Sequence, residues 1–228
     1  MASELLQKWH DQGERLDVPG TSATRIWRQG QGPPVVCLHG VPSSAYLYRK
    51  VLPALADRGL EGIAIDLQGL GFSDRPTDFD YSWTGLSAWL EKALDAADLD
   101  SFHLVVHDIG GPIGFDLIRR NPDRILSLTV LNTLTEVASF RKPLVMRPFT
   151  VPVLGRLWIL QMNSPAIFPF FRWKGVTAGP TYEELRVYGE LLVHGDGGRS
   201  FQQIMAGFET TPEFEKRILT SLGSREYP

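Results

Sequence analysis

Asp108 is the residue whose neighbours best equip it for chemistry. It closes the apolar run Leu104-Val105-Val106-His107 and is followed at once by Ile109, Gly110 and Gly111. Pro112, Ile113, Phe115, Leu117 and Ile118 then recur at helical spacing. Strand, sharp turn and helix is the expected path, with Asp108 at the apex. Two readings are open at this point. An aspartate at such a joint commonly caps the helix by accepting one of its first free N–H groups. A strained turn of the same shape instead lifts the side chain clear of the sheet, gathers backbone N–H groups round it and presents a nucleophile. A carboxylate presented in this way attacks carbon and forms an ester.

The elements that must position Asp108 extend to both sides of it. Val35 to Leu38 is a short continuous apolar run ending on His39-Gly40-Val41-Pro42, as expected of a strand buried on both faces. Gly62 to Leu67 is the next strand and ends in Gln68-Gly69-Leu70-Gly71-Phe72-Ser73-Asp74-Arg75-Pro76, a loop rich in turn residues. Leu86, Trp89, Leu90, Ala93, Leu94 and Ala97 mark an amphipathic helix, Phe102 to Val106 the strand before Asp108, and Leu126 to Leu131 a further strand ending at Asn132. Thr24 to Arg28 forms a weaker candidate strand. Ser43 or Ser44 begins a helix carrying Leu47, Val51 and Leu55, which Pro53 should kink or restart. This alternation predicts an α/β fold with a mostly parallel, doubly wound sheet. Ligands of such sheets gather at the carboxyl ends of the strands, where His39, Asp66, Asp108 and Asn132 all lie.

From about Thr135 to Glu215 the strand rhythm stops. Trp158, Phe168, Phe170, Phe171, Trp173 and Phe208 are interspersed with prolines, and helices are expected near 154–162, 181–193 and 199–208. The boundaries read as a core over 1–134, a helical cap over 135–215, and a return toward the core over 216–228. The cap aromatics either pack among themselves or line an apolar pocket.

Composition excludes several functions. Among 228 residues the net charge is −3, and Lys and Arg are dispersed. Neither nucleic acid nor a membrane surface is therefore an expected partner. No run of about 18 apolar residues suggests a membrane span. Met1 to Arg15 lacks the apolar core of a secretory leader. Cys37 is the only cysteine, which fits a reducing compartment, and a cytoplasmic location is expected. No close His/Cys/Asp cluster has metal-ligand spacing, so neither metal nor cofactor is expected. The sequence carries no indication of oligomeric state.

The three strand-end motifs, in this order and with a helical insert after them, resemble the α/β-hydrolase fold in its haloalkane dehalogenase and epoxide hydrolase branch. His39-Gly40-Val41-Pro42 resembles the H-G-x-P oxyanion turn of that branch. Asp66-Leu67-Gln68-Gly69-Leu70-Gly71-Phe72-Ser73 resembles its D-x-x-G-x-G-x-S loop, and His107-Asp108-Ile109-Gly110-Gly111 its H-D-x-G-G elbow. The resemblance implies that Asp108 attacks an sp³ carbon of a small apolar epoxide or organohalide. A histidine-activated water would then hydrolyse the ester, with the backbone N–H groups of Val41 and Ile109 holding the oxyanion.

The chain departs from the family pattern in two respects. Dehalogenases commonly hold the halide with a Trp after the nucleophile and an Asn in the H-G-N-P turn; here these positions are Ile109 and Val41. Trp158, Trp173 or a cap tyrosine is a substitute donor for a halide, and Tyr182 or Tyr188 a candidate acid for an epoxide oxygen. His39 and Asn132 complete the candidate substrate contacts. The second departure is that the family's last two strands, which carry the triad acid and histidine, have no counterpart after the helix near 215–222. His10, His39, His103, His107 and His194 are the only histidines. The chain reads as the first three-quarters of an enzyme, with the missing acid and histidine expected beyond Pro228. The alternative is a non-catalytic protein of this fold that binds a small apolar ligand or a partner.

Overall fold

The computed structural model describes residues 3–162 and 180–223. Phe168, Phe170, Phe171 and Trp173 lie outside them. Six strands form one sheet: β1 (Glu14–Leu16), β2 (Thr24–Gln29), β3 (Pro34–Leu38), β4 (Glu61–Ile65), β5 (Phe102–Asp108) and β6 (Ile125–Thr133), in the order β1-β2-β4-β3-β5-β6. The pairs β3–β4, β3–β5 and β5–β6 are parallel, whereas β1–β2 and β2–β4 are antiparallel. The strand order reverses at β3, whose neighbours β4 and β5 both follow it in sequence. The turn after β3 and the elbow after β5 therefore lie side by side at the crevice where such sheets bind ligands.

The central strands are buried on both faces, which explains their unbroken apolar runs. Val36, Leu38, Ile63, Ile65, Leu104 and Val106 are all inaccessible to water. They are covered by α1 (Glu4–Gln12), α2 (Val51–Ala56), α3 (Trp83–Ala96) and α4 (Gly110–Arg120). The helix expected from Ser44 onward divides in two. Ser44 caps a 3₁₀ turn, Ala45–Tyr48, by accepting from Tyr46 N–H, and α2 restarts at Val51. Pro53 falls in the first turn of α2, where its missing N–H leaves no bond unmade.

The N-terminal segment, polar in its sequence, folds as α1. Ser3 caps it, and Leu6 and Trp9 turn inward. Trp9 stacks on Trp27 of β2 with ring centroids 4.5 Å apart, and Trp27 Nε1 donates to the Trp9 carbonyl at 2.9 Å.

After β6 the chain forms a 3₁₀ stretch (Leu144–Thr150) and then α5 (Pro152–Met162), α6 (Tyr182–Val193), α7 (Arg199–Ala206) and α8 (Pro212–Gly223). A capping box starts α6, with Thr181 Oγ1 accepting from Glu184 N–H and the Glu184 carboxylate accepting from Thr181 N–H. No helix among the described residues is long and apolar enough to cross a membrane.

Candidate active site

Asp108 has φ +53°, a left-handed conformation rare for a residue with a side chain. Its neighbours enforce it. The hydroxyl of Thr133, on β6, donates to the Asp108 carbonyl. Gly111 makes room for that hydroxyl, since a Cβ there would lie 1.8 Å from Thr133 Oγ1. Gly110 packs against the Leu38 and His39 carbonyls, which a Cβ would approach to 2.7 and 2.8 Å. Gly40 is equally constrained, because its Cβ would collide with the Asp108 carboxylate at 2.2 Å. These glycines let three chain segments converge on one carboxyl group.

The helix-cap reading of Asp108 does not describe this geometry. Ile109 occupies the N-cap position of α4 and makes no side-chain cap bond. The Asp108 carboxylate instead accepts from Val41 N–H, with Oδ1 2.8 Å from the nitrogen. Val41, expected from the sequence as an oxyanion donor, has its N–H directed at this carboxylate. One carboxyl oxygen is thus held by the turn after β3. Ile109, the second expected donor, follows Asp108 and lines the same pocket.

The pocket above Asp108 has a volume of about 270 Å³. Its floor includes Ile109, Asn132 and Thr133, and its apolar walls include Phe140, Met146 and Phe208 from the insert. Asn132 arrives there through a bulge. His107 pairs with Leu131 and Asp108 with Thr133, so Asn132 drops out of the ladder and takes φ +42°. A bulge of this kind re-aims a side chain next to a site.

His39 and Asp66 have a different role. His39 is fully buried; Nδ1 lies 2.9 Å from the Gly40 carbonyl, and Nε2 accepts from Leu67 N–H at 3.0 Å. Nδ1 therefore carries the proton, the ring is neutral, and neither nitrogen is left for a substrate. Burial brings its pKa down to about 4. Asp66 is also fully buried and accepts from Ala45 N–H and Phe72 N–H, each at 2.7 Å. Burial outweighs these donors and pushes its carboxyl up to about 7. Gly71 is required beside it, since a Cβ would lie 2.1 Å from the carboxylate. Ser73 Oγ accepts from Leu70 N–H at 3.1 Å, which closes the loop. The D-x-x-G-x-G-x-S sequence is thus a self-bonded brace that supports the turn after β3.

The proposed cap contacts lie apart from the pocket lining. Tyr188 packs edge-on against Tyr46, and its hydroxyl accepts from Arg49 Nη1 at 3.1 Å. Its environment is an ion-paired cluster with Glu184, not the nucleophile. Tyr182 is about half exposed at the start of α6. Trp158 packs against the main core, and its indole N–H has no partner among the described residues. Phe140 and Met146 were not identifiable from sequence, because they sit in an irregular stretch without periodicity. Among the described residues no group of three or more His, Cys, Asp or Glu side chains is arranged to hold a metal ion.

A parallel-centred sheet with a strained strand-to-helix turn, an acidic apex and an N–H donor from the turn after β3 defines an α/β-hydrolase. A family profile described as alpha/beta hydrolase fold matches residues 33–162. Haloalkane dehalogenase 1 of Mycobacterium bovis is 40% identical over 208 residues, covering 85% of this chain and 68% of that protein. The haloalkane dehalogenase of Psychrobacter cryohalolentis is 41% identical over 124 residues, 52% of this chain and 41% of that one. The chain belongs to the α/β-hydrolase superfamily, in its haloalkane dehalogenase and epoxide hydrolase branch. Two solved structures share the fold. Haloalkane dehalogenase DatA of Agrobacterium tumefaciens is 27% identical with a TM-score of 0.74, covering 96% of this chain and 78% of that one. Epoxide hydrolase CorEH is 23% identical with a TM-score of 0.74, covering 90% and 76%.

Proposed function

We propose that the protein is a hydrolase in which Asp108 attacks an sp³ carbon bearing a halide or an epoxide oxygen. The observation that carries this reading is the Asp108 carboxylate at φ +53°, held by Val41 N–H on one oxygen and facing an apolar-walled pocket. Attack by the other oxygen forms an alkyl ester and releases halide or opens the ring. Water attacking the ester carbon then places negative charge on the oxygen that Val41 already holds. The relatives named haloalkane dehalogenase support the halide substrate. Ile109 and Val41, which have no side-chain donor, support the epoxide. The reacting end of the substrate is small and apolar in either case.

Single turnover in ¹⁸O-water with a panel of haloalkanes and epoxides tests the reading. The peptide containing Asp108 is expected to gain ¹⁸O in its carboxylate. Turnover that leaves Asp108 unlabelled would falsify the ester mechanism. Asp108→Asn is expected to reduce turnover roughly a thousand-fold or more.

A second reading has one observation in its favour: among the described residues no histidine hydrogen-bonds Asp108. In that reading the chain binds a small apolar ligand without turning it over. Equal affinity of wild type and Asp108→Ala for an unreactive alkane analogue, with no turnover of any substrate, would select it.

A further inference from the structure

Beside the nucleophile pocket lies a second concavity of about 480 Å³, open to solvent. Arg141, Lys142 and Arg147 line it, with Thr150 and Thr210 as neutral polar neighbours and, among the described residues, no carboxylate. Each cation donates to a backbone carbonyl. Arg141 Nη1 reaches Ala138 O at 3.0 Å, Lys142 Nζ reaches Met205 O at 2.5 Å, and Arg147 Nε reaches Lys142 O at 3.5 Å. None of the three forms a salt bridge with the described residues, whereas Arg49, Arg75, Arg199 and Arg217 are paired with carboxylates. Burial holds the Lys142 amine below the ordinary lysine range. Three like charges around one concavity create a field that an incoming anion would relieve.

This basin and the nucleophile pocket share a wall. Phe140 lines both. Lys142 Nζ sits 4.7 Å from the ring centroid of Phe208, which also faces Asp108, and the Phe140 and Phe208 rings are 6.3 Å apart. A ligand with an anionic head in the basin and an apolar chain along these two rings would direct its far end toward Asp108.

We infer that the Arg141–Lys142–Arg147 basin binds the carboxylate head of the substrate, an alkyl carboxylate whose far end carries the halide or epoxide. The inference rests on the Asp108 reading for what happens at that far end. The basin itself can be tested without turnover.

Titration calorimetry of the 228-residue chain with hexanoate, hexanamide and acetate is the first experiment. Hexanoate is expected to bind about ten-fold more tightly than hexanamide, as a charge-assisted contact provides. This preference should shrink as sodium chloride is added, and acetate should bind at least ten-fold more weakly than hexanoate. Lys142→Met with Arg147→Gln is expected to abolish the preference while leaving hexanamide affinity within two-fold. Arg141→Gln, at an exposed position, supplies a single-site check if the double variant fails to fold. Equal binding of hexanoate and hexanamide by wild type, or an unchanged preference in the variants, overturns the inference. So does acetate binding as tightly as hexanoate, which would make the basin a site for free anions.

The kinetic arm compares 6-bromohexanoate with 1-bromohexane and the epoxides of the corresponding pair. KM for the carboxylate member should rise about ten-fold in the charge variants, with KM for the neutral member unchanged. A cation-dependent hexanoate preference without turnover of any of these compounds would count against the Asp108 chemistry and leave the basin standing.

Discussion

A single turn of backbone separates the roles of the two acidic strand ends. Asp108 stands out of the sheet with one oxygen on Val41 N–H, whereas Asp66 is inaccessible to water and uses both oxygens on backbone donors. His39 shares that buried environment, its Nε2 3.9 Å from Asp66 Oδ1. The pair makes opposing contributions to stability as pH changes. Between about pH 4 and 6.5 an unfolded histidine takes up a proton that folded His39 does not, so this residue makes stability rise with pH. Between about pH 4 and 7 folded Asp66 retains a proton that an unfolded carboxyl releases, so it makes stability fall. Each slope approaches about 1.4 kcal/mol per pH unit, and they largely cancel. Urea unfolding at a series of pH values should therefore show stability rising less, or falling more, between about pH 4 and 6.5 in His39→Gln than in wild type, whatever the absolute levels. Parallel profiles for the two proteins would show that the histidine does not carry the compensating slope.

At the scale of elements, α4 meets β6 through the missing side chain of Gly111, and this contact sets the elbow. Gly111→Ala is expected to destabilise by about 2 kcal/mol through overpacking against Thr133. In a Thr133→Ala background the same change should cost about 1 kcal/mol less, since the colliding hydroxyl is gone. Thermal or chemical denaturation of the four proteins measures this coupling, and strictly additive costs would place the strain elsewhere. The elbow could be read from sequence because its requirement is local: an acid at a strand end, then glycines where a helix must approach. The bulge that turns Asn132 out could not, since register belongs to two strands separated by α4. The helix α1 was missed for a related reason. Its inward face is Leu6 and Trp9 within a polar segment, and Trp9 finds its partner only when Trp27 arrives on β2. His39 and Asp66 were read as parts of a site because a polar residue ending a buried strand suggests a ligand contact; only their hydrogen-bond partners reveal a brace.

At the scale of the whole chain, the described residues cover the sheet well at its centre and leave β6 without a partner on its outer side. Among the described residues β6 pairs only with β5. Leu126, Val130 and Leu131 on β6 are 43%, 46% and 44% exposed. An apolar edge strand is a template for pairing with another chain. The 228-residue chain is expected to self-associate as its concentration rises, and Val130→Lys to reduce that association. Light scattering across a concentration series reads both, and association unaffected by the added charge would remove the edge from consideration. The opposite flank of the insert is tied down. Arg75 Nη1 binds Gly69 O, and Nη2 binds both Gly71 O and Leu191 O, while Arg199 Nη2 returns to the Arg75 carbonyl. The loop that braces the turn after β3 is thus also bolted to the end of α6 and the start of α7. That fastening bears on molecular traffic: α6 and α7 cannot move away from the core without breaking the hydrogen bonds that tie them to this loop. On the proposed reading, a substrate that enters along the 140–150 segment meets Arg141, Lys142 and Arg147 first, so that selection by charge begins before any bond is broken.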